Sequence, residues 1–355
     1  MHWKCGEYLT GQQYPLTRGL DDNKRMWRMV IMKKDMCLYN NVNYRYYIIA
    51  IIFIVFISSC SSPPEKTLND KLRPFQTGSE VDVAANEYDN SPRGSCSYGF
   101  HAISYGKIGL VTALHCTNTD YDYDGGFVVS GEKVWQSYTD DAYAVATVER
   151  KPTLLDKWDN DSCLEAIEDL GRDDLRWCLL ADAAFAPFVD QSIVNDGDLY
   201  QAGAVANVPL SIDETNLGPV AEDDPHFYTG YSYLPTANQP LYKIGSTTGK
   251  TVGYLVSELP VDIPISLEEG GEEVVLLGVY SARSSNAATF ADHGDSGGPV
   301  FHTTSGDDGP FTLAGIVSAG TNYGLLFVEP LGDILASIDI EVEYAGSGGY
   351  LGIPQ

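Results

Sequence analysis

The sequence predicts an all-β protein with few short helices. Three observations lead there. The 35 glycines among 355 residues are spread along the chain rather than clustered, which suits many tight turns. Short apolar runs such as Val145-Ala146-Thr147-Val148 read as half-buried strands. Helical periodicity is confined to two short stretches, Asp161–Leu170 and Leu331–Ser337. The length is ample for a large core.

The amino-terminal region reads as a targeting segment outside the fold. Tyr46–Ile57 is almost wholly apolar, but a run of about a dozen residues is too short to span a bilayer comfortably. Lys33, Lys34 and Arg45 precede it and supply the positive flank of a signal peptide. The stretch before Met32 lacks that character, which moves the translation start to Met29, Met32 or Met36. The run ends at Ile57-Ser58-Ser59-Cys60, similar to a bacterial lipobox. Lipidation of Cys60 would tie an exported protein to the cell envelope; an ordinary cleaved signal would leave it periplasmic or secreted. Residues 60–74, rich in Ser, Pro and charge, read as a tether. Residues 341–355 read as a tail, flexible from Gly346.

Charge narrows the partners. Lys and Arg number 22 against 49 Asp and Glu, a net −27. The first 59 residues hold 8 of the basic and 4 of the acidic residues, so the remainder stands at −31. Such an excess excludes nucleic acid and anionic surfaces as partners, leaving the lipid as the only contact with a membrane. Asp120-x-Asp122-x-Asp124-Gly125 has the alternating carboxylates of a calcium loop. The twelfth position, however, is Gly131, with Glu132 one residue late. No cofactor or metal is expected, with a structural calcium at Asp120, Asp122 and Asp124 as an open alternative.

Two segments carry chemistry. Gly294-Asp295-Ser296-Gly297-Gly298-Pro299 sets a serine among glycines, and Thr112-Ala113-Leu114-His115-Cys116 supplies a histidine upstream. A serine hydroxyl becomes a nucleophile when a positioned base takes its proton and donors await the oxyanion. Gly294 reaches backbone conformations closed to residues with a Cβ, so its N–H and that of Ser296 can converge on one oxygen. His115 is the natural base.

Together these segments resemble the active-site signatures of the chymotrypsin-like (trypsin-like) serine proteases of microbial type. Lys243-x-Gly245-x-Thr247-Thr248-Gly249-x-Thr251-x-Gly253 and Gly315-Ile316-Val317-Ser318-Ala319-Gly320 extend the resemblance, which covers roughly residues 75 to 340. It implies two packed six-stranded antiparallel β-barrels, at 75–189 and 190–340, with catalysis in the cleft between them. It implies a third catalytic residue between His115 and Ser296: Asp182, opening Asp182-Ala183-Ala184-Phe185-Ala186, with Asp141 as the rival. By the same likeness Ser318, Ala319 and Gly320 bind a polypeptide substrate as an added strand. The likeness also implies a structural ion pair for Asp295, with Arg283 as the expected partner. By the family's spacing Phe290 and Ala291 are expected at the primary pocket, where the absence of an acid disfavours Lys or Arg and Phe290 favours medium or small apolar residues. Asp292 falls nearer the rim, and His293 is a further candidate for the cleft. His101, His226 and His302 are read as structural.

The likeness also pairs cysteines. Cys96 with Cys116 matches the family's staple on the histidine loop; Cys163 with Cys178 then closes an insertion at Lys157–Trp177, in keeping with an oxidising compartment. The expected product is a monomeric serine endopeptidase. The alternatives are a catalytically silent surface binding protein on the same scaffold and an esterase, though the G-x-S-x-G elbow usual for an esterase is absent around Ser296.

Overall fold

Paired strands joined by tight turns make up most of the chain, with two short helices among the described residues. The structure is a computed structural model that describes residues 65–344, apart from 85–91, 118, 122–124, 128, 130, 137–143, 191–200, 212–217, 222, 233–238, 268–271, 286–288, 304–309 and 321–323. The leader, Cys60, Asp122, Asp124, Asp141 and the tail from residue 345 therefore lie outside the described residues.

Seven strands of the amino-terminal half form two small sheets with a strand from the far end of the chain. One has the order β2-β1-β5-β6, from β1 (Glu80–Ala84), β2 (Pro92–Ser97), β5 (Lys133–Trp135) and β6 (Ala146–Thr147). The other runs β19-β3-β4-β9, from β3 (Phe100–Ser104), β4 (Lys107–Thr112), β9 (Ala184–Pro187) and β19 (Glu341–Val342). Isolated bridges at Ala146–Phe188 and Arg150–Phe185 join the two. The β3–β4 hairpin turns on Tyr105 and Gly106, at φ 48° and 76°, with Ser104 paired to Lys107. Both central residues at positive φ give the turn whose twist matches that of the strands.

The carboxy-terminal half centres on an eleven-stranded sheet. Its members include β10 (Ala204–Val205), β11 (His226–Tyr231), β12 (Leu241–Gly245), β13 (Gly249–Leu255), β15 (Glu273–Ser284), β16 (Pro299–Thr303), β17 (Phe311–Gly320) and β18 (Leu325–Pro330). The edge strand β14 (Val261–Ser266) pairs only with β15 and carries Pro264, a residue sheets tolerate at edges. These pairings are compatible with two β-barrels.

Three features depart from the sequence reading. The insertion contributes β7 (Leu155–Asp156) and β8 (Trp177–Leu179), and β8 runs parallel to β15, with Cys178 opposite Val275. Strands from the first half thus extend the sheet of the second. Order also begins before Phe75: Leu68 and Leu72, placed in the tether, are fully buried in the main core. It continues past 340, where β19 pairs Val342 with Ala102 and buries its side chain, so the tail begins later than expected.

Helix α1 (Asp161–Asp169) begins where the sequence places it, with the Asn160 side chain accepting from the Cys163 N–H. Its apolar face, Cys163, Ala166 and Ile167, packs on Val275 and Leu277. Helix α2 (Leu331–Ile338) buries Leu331, Ile334, Leu335 and Ile338 in the main core. Both predicted disulfides, Cys96–Cys116 and Cys163–Cys178, are present.

Candidate active site

Antiparallel pairing brings His115 and Asp182 together across 67 residues of sequence. Thr112, at the end of β4, stands opposite Ala184, at the start of β9, so the chain leaving one strand meets the chain entering the other. Leu114–Cys116 forms a single 3-10 turn after β4. Ala113, Leu114 and Cys116 are buried in an apolar cluster that also takes Val274 and Leu276 of β15, and the disulfide ties Cys116 to β2. The turn is pinned on both sides of His115.

Asp182 is fully buried between Ala181 and Ala183, and its carboxylate accepts three hydrogen bonds. The His115 backbone N–H donates to Oδ1 at 3.0 Å, and His115 Nδ1 lies 2.7 Å from Oδ2. The Ser318 hydroxyl donates to Oδ2 at 2.7 Å. Burial pulls the His115 imidazole down, but the charge and hydrogen bond of Asp182 outweigh it, leaving its pKa above the ordinary histidine value. Burial pushes the Asp182 carboxyl up, and the His115 charge together with these hydrogen bonds overcomes that, holding it below the usual aspartate range.

Ser296 sits in the turn between β15 and β16. Glycines let that turn press against its neighbours. A Cβ on Gly297, at φ 82°, would lie 2.4 Å from Thr112 Oγ1 and 2.7 Å from the Ala113 nitrogen. The Ser296 carbonyl accepts from the Ser97 N–H at 2.8 Å, which fixes the turn to β2.

Two further carbonyls around Ser296 are anchored. Thr247 Oγ1 donates to the His293 carbonyl at 2.6 Å, and the Gly298 N–H donates to the Asp295 carbonyl at 2.9 Å. In a trans peptide the N–H points opposite to its C=O. Fixing these two carbonyls therefore sets the directions of the Gly294 and Ser296 N–H groups. Gly294 takes φ 96°, and a Cβ there would fall 2.3 Å from Thr247 Oγ1.

Asp295 points away from the cleft into a fully buried ion pair, and its partner corrects the Arg283 expectation. Lys243 Nζ lies 2.7 Å from Asp295 Oδ2, with both side chains wholly inaccessible. Arg283 is exposed and contributes backbone pairing to Tyr254. Lys243 reaches the site because β12 pairs with β16, where Lys243 stands opposite Val300. The Asp295 carboxylate also accepts from the N–H groups of Thr247, Thr248 and Asp292, each at 3.0 Å, and from Thr248 Oγ1 at 2.6 Å. Gly245 leaves room for it: a Cβ there would lie 2.3 Å from Asp295 Oδ1. Burial lowers the Lys243 pKa against the opposing pull of Asp295.

His115, Asp182 and Ser296 line one cleft of about 800 Å³. Ala291, Asp292, His293, Ser318, Ala319 and Gly320 line it as well. Phe290 corrects the sequence reading. It is fully buried in a cluster with Leu255, Val300 and Val328, outside the cleft lining, and a Cβ on Gly253 would meet its ring at 2.6 Å. The cleft also takes Ile263, Pro264, Ile265 and Ser266 from β14 and Phe327 from β18.

The remaining candidates fall elsewhere. His101 is buried edge-on to Tyr98, its pKa driven down by burial to about 3. His226 packs on Phe311, and His302 Nε2 lies 2.7 Å from Ser232 Oγ. Asp120 is exposed; Glu132, the late acid of the calcium-like loop, is buried against the Lys151 ammonium instead.

No protein-family profile matches the chain, and no curated protein does. Solved structures of microbial proteases have a similar chain trace. The Nocardiopsis protease NAPase is 19% identical over 70% of this chain and 93% of its own, at a TM-score of 0.39. Thermobifida fusca protease A is 17% identical, covering 74% and 96%, at 0.40. The Cellulomonas bogoriensis chymotrypsin is 17% identical, covering 75% and 97%, at 0.43. At such identities and TM-scores the activities of those proteins do not transfer to this chain.

Sequence reasoning missed several supporting residues. Thr247 and Thr248 lie inside the Lys243–Gly253 motif, where their types suggest only parts of a turn. Ser97, whose hydroxyl donates to the Gly294 carbonyl at 2.7 Å, and Glu329, beside Asp182, carry no local signal.

Proposed function

We propose that the chain is a serine endopeptidase working through an acyl-enzyme, with His115, Asp182 and Ser296 as its catalytic residues. The observation that carries this reading is the buried Asp182 carboxylate bound to both the Nδ1 and the backbone N–H of a histidine that shares a cleft with Ser296. With Asp182 on Nδ1, the neutral ring keeps its proton there and offers its Nε2 lone pair to the serine hydroxyl. Ser296 Oγ attacks the peptide carbonyl as His115 takes the proton. The N–H groups of Gly294 and Ser296 receive the oxyanion. His115 then returns the proton to the departing amine, and water cleaves the acyl-enzyme by the same path reversed.

The substrate backbone adds to β17 at Ser318–Gly320. Specificity falls to Ala291 and Gly320 with Phe327 rather than Phe290, and favours apolar residues over Lys or Arg. The Lys243–Asp295 pair replaces the new amino terminus that animal relatives need, so the enzyme is active without cleavage. We further propose a monomer, divided near residue 190, exported and lipid-anchored through Cys60. The two disulfides support an oxidising compartment.

The test is the intact mass of the purified protein after a fluorophosphonate probe, beside Ser296→Ala. A single adduct on the parent and none on the variant is expected. A folded parent that takes no adduct would overturn the reading.

A further inference from the structure

Asp182 is held at two points by strands of the carboxy-terminal half, and only one of them is its carboxylate. Ser318, on β17, donates to Oδ2. Glu329, on the adjacent β18 and opposite Ile316, turns its carboxyl toward the Asp182 backbone, where Oε2 accepts the Asp182 N–H at 3.3 Å. The Glu329 side chain is fully buried, and Oε1 has no hydrogen-bond partner among the described residues. β17 and β18 pack closely here because residue 315 is glycine: a Cβ there would lie 2.0 Å from the Glu329 carbonyl oxygen.

A buried carboxyl beside a buried carboxylate has two choices. It ionises and places a second negative charge against Asp182, or it keeps its proton and acts as a neutral acceptor. The groups whose charges reach Glu329 are Asp182 and, from α2, Asp333; His115 lies beyond Asp182. Both neighbours are acids, and no cation among these groups contacts Glu329 directly. Burial first, then the Asp182 charge, holds the Glu329 pKa well above the usual carboxylate range. With Oε2 accepting, the proton belongs on Oε1.

We propose that Glu329 is a positioning residue of the catalytic acid: as a neutral carboxyl it anchors the Asp182 main chain and keeps a competing charge away from the Asp182–His115 pair. This rests on the serine peptidase reading. Fixing the Asp182 N–H aligns its carboxylate with both His115 donors, while neutrality leaves Asp182 as the single counter-charge to the imidazolium.

The experiment compares parent, Glu329→Gln and Glu329→Leu in the full chain. It follows kcat/KM and fluorophosphonate labelling across pH, together with the low-field NMR resonance of the His115 Nδ1 proton. Glutamine stays neutral and keeps an acceptor, so its activity, acid limb and resonance should match the parent within about twofold. Leucine leaves the Asp182 N–H unpartnered and should lose about tenfold in kcat with KM unchanged, with a displaced resonance. A leucine variant with parental rates and resonance overturns the proposal. So does a glutamine variant whose acid limb moves, since that would mean Glu329 is ionised in the parent. If the leucine variant does not fold, the glutamine profile decides alone. A folded parent without label would instead defeat the peptidase reading itself, which separates the two failures.

Discussion

Replacing Lys243 by methionine removes the full positive charge paired with Asp295 while nearly keeping the stem of the side chain. Both partners are wholly inaccessible, and breaking such a pair typically costs about 3–5 kcal/mol, because a buried charge is left uncompensated. Asp295 keeps three N–H donors and one hydroxyl, so the cost falls toward the low end, about 3 kcal/mol. The same loss frees the turn that carries Gly294 and Ser296. Losing one oxyanion donor alone lowers turnover by about 100- to 1,000-fold, so labelling of Ser296 should slow by at least about 100-fold. Guanidinium unfolding measures the first quantity and fluorophosphonate kinetics the second. Adding Asp295→Asn to the methionine variant should recover much of the stability without the labelling rate, since no charge then remains buried. A single variant within about 1 kcal/mol of the parent that labels at the parental rate would refute the reasoning.

Two other outcomes follow from the geometry. If His115 is the base of the proposed mechanism, its raised pKa places the acid limb of kcat/KM above 6.5, because only the neutral ring would accept the serine proton. Asp182→Asn removes the charge that opposes burial, so the limb should move to lower pH while kcat drops about 10,000-fold; a pH profile checks both. In stability terms, the raised His115 pKa contributes fully below 6.5 and is lost as pH rises through the folded value. The lowered Asp182 pKa contributes above 3.8 and is lost as pH falls through its folded value. Replacing Cys163 and Cys178 by alanine opens a loop of 15 residues and should cost about 3 kcal/mol in thermal or denaturant unfolding.

What the sequence made legible is what chemistry fixes locally. Ser296 among its glycines, and His115 before a cysteine that must pair, are recognisable because a backbone conformation or a covalent bond demands those residue types in sequence neighbours. The helices were equally local: Asn160 caps α1, and the period of Leu331, Ile334, Leu335 and Ile338 marks the buried face of α2. Failures arose where residues far apart in the chain decide the outcome. Arg283 and Lys243 are both cations on strands, and only the pairing of β12 with β16 brings Lys243 under Asp295. Phe290 is next to a cleft residue in sequence, yet the bare backbone of Gly253 opens a core site that receives its ring.

Asp182 shows why the two kinds of information meet at the acid. Its own strand and the histidine turn come from the amino-terminal half, joined by the β4–β9 pairing. Its remaining partners, Ser318 and Glu329, come from β17 and β18 of the other half. A carboxylate with no solvent contact must have its charge met by fixed donors, and here two come from the first half and one from the second. Its full set of donors is therefore assembled when both halves are docked. Ser97 reinforces the dependence, since this residue of the first half binds the Ser296 and Gly294 carbonyls of the second. Loosening that docking should disable the site and destabilise the fold together, because the two halves share their apolar clusters. The hydrogen bonds it would break are those that align His115 and the Ser296 turn, and the apolar cluster it would open joins Phe100, Val111 and Phe185 of the first half to Ile244, Phe301 and Ile316 of the second.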